Sequence, residues 1–153
     1  MAKYTTPFGD EYNIKFTVGL FEMLKTNGID LLDMNLDTDG SLTKLENDDT
    51  FVASVVFMIF KDKFAESGYS EQTYKNNVDG AAAKAAYLFL REGLLDFFQN
   101  RGQSLKAEIL EIYPLIQEEI LKQMRDRLDI TQVIGEQFTN TQELSALTPS
   151  DLA

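Results

Sequence analysis

"FVASVVFMIF", Phe51 to Phe60, decides the fold. Its Phe51, Val52, Val55, Val56, Ile59 and Phe60 fall at helical spacing and leave almost no polar face. A helix that is apolar on nearly every side is a buried one. At ten residues it has about half the ~20 that a membrane span needs, so it is read as the central core helix of a globular domain, with Asp48 or Asp49 as its cap. Its natural partner is "GAAAKAAYLFLREGLLDFFQN", Gly80 to Asn100, which combines strong helix formers with Tyr87, Leu90, Leu94 and Phe97 on one stripe. Asn100 to Gly102 closes this second core helix. Between the two, "SGYSEQTYKNNVDG" is polar, with Ser70 placed to cap one short helical turn.

Toward the N-terminus the period changes. Tyr12, Ile14 and Phe16 alternate with Asn13, Lys15 and Thr17, and the strand-like "KYT" before them is joined through Pro7-Phe8-Gly9-Asp10. This pattern predicts a small β-hairpin. From Phe16 the spacing of Leu20, Met23 and Leu24 becomes helical until Asn27-Gly28 stops it, and "GIDLLDMNLDTDGSLTKLENDD" follows as an acidic, turn-rich connection. On the other side, Ser104 is placed to cap "LKAEILEIYPLIQEEILKQMRDRLD". Its Leu105, Ile109, Ile112, Ile116, Ile120 and Leu128 run along one side, and Pro114 is expected to kink or split it. The predicted architecture is mainly α with a small N-terminal hairpin: residues 1–102 form hairpin plus helical body, 103–130 an amphipathic helix, and 131–153 a polar tail. At the end of that tail, "ALTPSDLA" opens like a helix, with Thr148 as cap, Pro149 suited to the first helical position and Asp151 complementing the dipole. Either a partner completes such a start, or a longer frameshifted product continues through it, or it is a disordered end whose pattern arises by chance.

Within the acidic connection, "NLDTDGSLTKLE" has the spacing of an EF-hand loop. Asn35, Asp37, Asp39 and Glu46 take ligand positions one, three, five and twelve, Gly40 the sixth, and Leu42 the apolar eighth. The context argues against calcium: a neutral Asn stands first, "TNGID" breaks the entering helix, "NDD" follows the glutamate, and the chain holds no second such loop. An Asp-Gly turn with solvated acids is the expected reading.

Composition narrows the function further. With 153 residues, no Cys and no His, the chain has no disulfide framework, thiol nucleophile or Cys/His zinc site, and it lacks the commonest general base. The carboxylates of Glu118-Glu119 and of Asp126 to Asp129 are adjacent or scattered on a helix and face no common atom. GxGxxG, Walker and GxSxG strings are missing. The protein is therefore read as non-catalytic, with no catalytic, cofactor-binding or metal-ligating residue. Asp+Glu 25 against Lys+Arg 14 gives a net charge of -11, and the cations are scattered, so neither nucleic acid nor a membrane is an expected partner. The residues after Met1 contain no apolar run, which predicts a cytoplasmic location.

The order of segments carries a resemblance. A hairpin ending "YNIKFTVGLFEMLKTNGIDLLDM", an acidic turn, an apolar helix, the polar "YSEQTYKNNVD" and an Ala-rich amphipathic helix resemble the tail assembly chaperones of long-tailed bacteriophages over roughly residues 4–98. In that family a strand of polar-aliphatic-polar-aromatic form runs straight into a helix, as "YNIKFTVGLFEML" does. The resemblance implies a host-cytoplasmic protein without cofactors that binds tail-tube and tape-measure proteins before polymerisation, with self-association possible and two lengths produced by frameshifting. The long segment from Ser104 to Ala153 departs from the shorter members. A phage virion protein of head, neck or tail is the alternative. An acidic inhibitor or a calcium-binding protein ranks third.

Overall fold

A computed structural model describes residues 1–34, 37 and 39–146, with side chains as far as Asp129. Asn35, Thr148, Pro149 and Asp151 fall outside the described residues. The fold is mainly α with an N-terminal hairpin, as the periodicity predicts. Strands β1 (Ala2–Thr5) and β2 (Glu11–Ile14) pair antiparallel with Ala2 opposite Ile14 and Tyr4 opposite Tyr12. Helices α1 (Val18–Thr26), α2 (Ser41–Asn47), α3 (Asp49–Ile59), α4 (Lys61–Glu66), α5 (Glu71–Asn76), α6 (Gly80–Arg101) and α7 (Ser104–Ala146) follow. The chain divides into two compact units, Met1–Ile112 and Tyr113–Ala153.

In the first unit, local chemistry sets the ends of the elements. Thr6 Oγ1 accepts from the backbone N–H groups of Phe8 and Asp10, both at 3.2 Å, and Gly9 takes φ +92° to complete the hairpin turn. Thr17, Asp48, Ser70 and Asp79 each cap a helix by accepting from the N–H three residues on. Asp48, not Asp49, is thus the cap of α3. Gly102 ends α6 in the left-handed region. Ser104 is the first residue of α7 rather than its cap, since Ala107 N–H donates to the Gln103 carbonyl. Two helices emerge where turns or continuity are read from the sequence: α2 inside the acidic connection, and α4 directly after α3.

The core forms where α3 meets α6 and β1 lies on α6. Strand β1 turns Ala2 and Tyr4 inward and leaves Lys3 and Thr5 outside. Phe89 stands at the centre, with Tyr4, Phe16 and Phe60 rings at 5.4, 5.5 and 5.4 Å. A second group continues through Phe64, which stacks on Phe57 and lies 4.8 Å from Tyr74. Such tilted and offset pairs contribute about 0.5–1.5 kcal/mol each beyond area burial. In the middle of this apolar cluster the hydroxyls of Tyr4 and Tyr74 bond each other at 2.6 Å. The buried face of α6 is Ala83, Ala86, Phe89, Leu90, Gly93, Leu94 and Phe98, whereas Tyr87 and Phe97 of the expected stripe lie at its margin. Gly93 explains part of that rotation. A Cβ there would sit 2.3 Å from Phe16 Cε1, so glycine lets the ring lie directly against the helix backbone.

Helix α7 is unbroken in its backbone through Pro114 and continues to Ala146, beyond residue 130 where the polar tail is expected to begin. Its first turns belong to the first unit: Ala107 and Leu110 are buried, and Lys106 Nζ donates to the Leu32 carbonyl at 3.3 Å and lies over the Phe98 ring. Among the described residues, no helix is long and apolar enough to cross a membrane.

Candidate interaction surface

The EF-hand-like spacing resolves into two separate environments. Asp37 and Asp39 line an open concavity of about 300 Å³ together with Asp30, Asp33, Gly40 and Lys44. Glu46 is elsewhere in function: it lies on α2, where both carboxylate oxygens accept from the Tyr87 hydroxyl of α6, at 2.7 and 2.9 Å. Gly40 has φ -72° and leads into α2, so no left-handed turn is made at the sixth position. Ser41 Oγ donates to the Asp30 carbonyl and ties the start of α2 to the preceding connection. Among the described residues, no three His, Cys, Asp or Glu side chains converge as a metal site would require.

Glu46 and Tyr87 form a half-buried acid–phenol pair beside Arg91. Burial pushes the Glu46 carboxyl above the ordinary carboxylate range, against the Tyr87 hydrogen bond and the Arg91 charge, which pull it down. The Tyr87 hydroxyl is raised by burial and by the adjacent carboxylate. The pair joins α2 to α6 and seats the acidic connection on the core. Its geometry is that of a link between two helices, at the edge of a shallow concavity lined also by Asp49 and Lys84.

A larger concavity, about 580 Å³, lies between the hairpin and α6 and is lined by Ala2, Lys15, Phe16, Asp96, Phe97 and Arg101 among others. The Met1 ammonium approaches Asp96 at 3.6 Å there, an exposed contact of small energetic value. The cavity contains cations, an acid and apolar walls, but no converging donor set that selects a ligand.

In the second unit, the side chains described from Tyr113 to Asp129 project from one helix. Gln117 Nε2 donates to the Tyr113 hydroxyl at 2.9 Å. Leu115, Ile116, Ile120, Leu121, Met124 and Leu128 are 45–66% exposed. Six large apolar side chains open to solvent within fourteen residues are an exposure of the kind that marks a protein-binding surface. Glu118, Glu119, Asp126 and Asp129, weighed in the sequence as possible acid–base groups, are all exposed on this helix. The amphipathic pattern is visible in the sequence. What the pattern does not disclose is that Ala107 and Leu110 are buried whereas the apolar residues from Leu115 onward are exposed. Compared with known protein families, with curated proteins and with solved structures, the chain matches none.

Proposed function

We propose that this protein is a non-catalytic tail assembly chaperone of a long-tailed bacteriophage, acting in the host cytoplasm on tail-tube and tape-measure proteins before they polymerise. The observation that carries this reading is the order of elements in the first unit. The hairpin's second strand leads through Phe16 into α1 within a few residues, and an acidic connection, the apolar α3, the polar stretch of α5 and the Ala-rich α6 follow. That order is the basis of the family resemblance. The exposed apolar surface of α7 supports a role in binding proteins, because solvent exposure of so many Leu, Ile and Met side chains is otherwise costly.

Copurification from infected cells tests the reading. Tail-tube and tape-measure proteins should be recovered with the chaperone, and purified phage particles should lack it. Stoichiometric recovery in intact particles would instead make it a virion component of head, neck or tail. Removal of residues 131–153 should leave the first unit folded while weakening capture of the tail proteins. Undiminished capture with unchanged phage yield would place the contact elsewhere.

A further inference from the structure

We propose that the Gln117–Leu128 segment of α7 pairs antiparallel with the same segment of a second copy of this chain. Gln117, Leu121, Met124 and Leu128 recur at intervals of four, three and four, the spacing of a coiled-coil seam, and the last three are more than half exposed. A seam of this kind is covered by another helix of matching pattern. The residues that flank it say which helix and in which direction.

Glu118 and Arg125 lie along one edge of the seam, each one residue beyond a seam position, and Ile120 and Arg127 lie along the other. Antiparallel pairing that sets Leu121 against Met124 of the second copy also sets Gln117 against its Leu128. The same register brings Glu118 to the second copy's Arg125, and the two-fold axis repeats that pair. On the opposite edge the Arg127 stem covers Ile120, again twice. Parallel pairing in the same seam brings Ile120 to Arg125 and Tyr113 to Glu118, with no opposite charges in contact. Charge complementarity therefore selects the antiparallel arrangement.

The electrostatics of the whole chain favour this stretch for self-contact. At a net charge of -11, two copies repel each other over most of their surface. From Tyr113 to Asp129, four carboxylates are matched by three cations, so two such segments approach with little repulsion. Glu119, Lys122, Gln123, Asp126 and Asp129 remain on the outer face and keep the paired helices soluble. With four seam layers the contact is short, and the dimer should dissociate on dilution.

Sedimentation velocity on the full chain across a wide concentration range tests the proposal without any tail protein, so its outcome is independent of the chaperone reading. The wild type should shift reversibly between monomer and dimer. Glu118→Arg and Arg125→Glu should each weaken the dimer about tenfold or more, since two attractive pairs become two repulsive ones. The double variant should restore it, and an equimolar mixture of the two single variants should form a heterodimer, because each then supplies what the other lacks. Glu118 and Arg125 are both solvent-exposed, and unchanged helical circular dichroism would show that folding is intact. A chain that stays monomeric at every concentration overturns the proposal and leaves the face to a different protein, and a dimer indifferent to the charge exchanges overturns the register.

Discussion

Removing one hydroxyl from the buried Tyr4–Tyr74 pair should cost more than removing both. Both residues are almost fully buried, Tyr4 at 1% and Tyr74 at 0% exposure, and their hydroxyls bond each other at 2.6 Å among the rings of Phe57, Phe60, Phe64 and Phe89. Tyr4→Phe leaves the Tyr74 hydroxyl in an apolar shell without its partner, and Tyr74→Phe does the reverse. Each should destabilise by about 1–3 kcal/mol, the cost of an orphaned buried polar group. The double variant orphans nothing and should lie close to wild type. Urea denaturation followed by far-ultraviolet circular dichroism gives the four stabilities, and the double-mutant cycle gives the coupling. A double variant whose loss equals the sum of the singles would refute the reasoning, because it would mean that neither hydroxyl depends on the other. Alkaline titration adds a second readout. Burial raises both phenols above their usual 10.0, so the folded state holds its protons longer than the unfolded chain does. The associated stability is fully present below about pH 10 and is lost as pH rises above it, and the double variant should show a flatter alkaline decline.

Gly93→Ala should destabilise by roughly 1–3 kcal/mol even though alanine is the better helix former, because the added methyl would overlap the Phe16 ring; combining it with Phe16→Leu should recover part of the loss, and no recovery would locate the strain elsewhere. Leu94→Ala, in the buried face of α6, should cost about 2–5 kcal/mol. Leu88→Ala, 47% exposed, should cost under ~1 kcal/mol, and equal costs would contradict the described core. Glu46, with its folded-state proton affinity raised above the ordinary carboxylate, should lose stability as pH rises from about 4.5 through its higher folded value. Glu46→Gln should flatten that acid-to-neutral slope in a pH series of urea midpoints. Saturating calcium should leave the melting temperature unchanged, because Glu46 is held by Tyr87; a native-state ligand at 100 times its Kd would add ~2.7 kcal/mol, and a rise abolished by Asp37→Ala would reverse the assignment.

Strong local signals were readable from the residues alone. The hairpin follows from alternation around a Pro-Phe-Gly-Asp turn, α3 from an unbroken apolar face, and the ends of α1, α5 and α6 from Asn27-Gly28, Ser70 and Gly102. The misses have a common cause in weak or nonlocal signals. Helix α2 is seven residues long and sits among Asp and Gly whose turn chemistry dominates the reading. On α6, helical spacing picks out the buried Leu90 and Leu94 but also takes in Tyr87 and Phe97, which lie at the margin. Small residues, Ala83, Ala86 and Gly93, carry much of the close packing there and add little to an apolar pattern. Glu46 shows a further limit: its position in a calcium-like spacing is local, whereas its bond to Tyr87 spans forty-one residues and depends on how α2 meets α6. The interaction surface was half visible. Its amphipathic periodicity is in the sequence, but that Ala107 and Leu110 are buried while Leu121, Met124 and Leu128 are exposed depends on nonlocal packing.

The docking of β1 on α6 sets an order of events during synthesis. Tyr4 emerges from the ribosome about 85 residues before Phe89 and the rest of the α6 face. At ordinary translation rates of ~5–20 residues per second, the hairpin waits on the order of ten seconds for its α6 contact. Helices α1 to α5 have time to form and collapse locally in that interval, while the pairing of β1 with α6 must close a loop of some 85 residues. The α6 contact of the hairpin is therefore made last, and any product that stops short of α6 leaves Tyr4 and Phe16 without Phe89, with Phe60 and Tyr74 left to hold Tyr4.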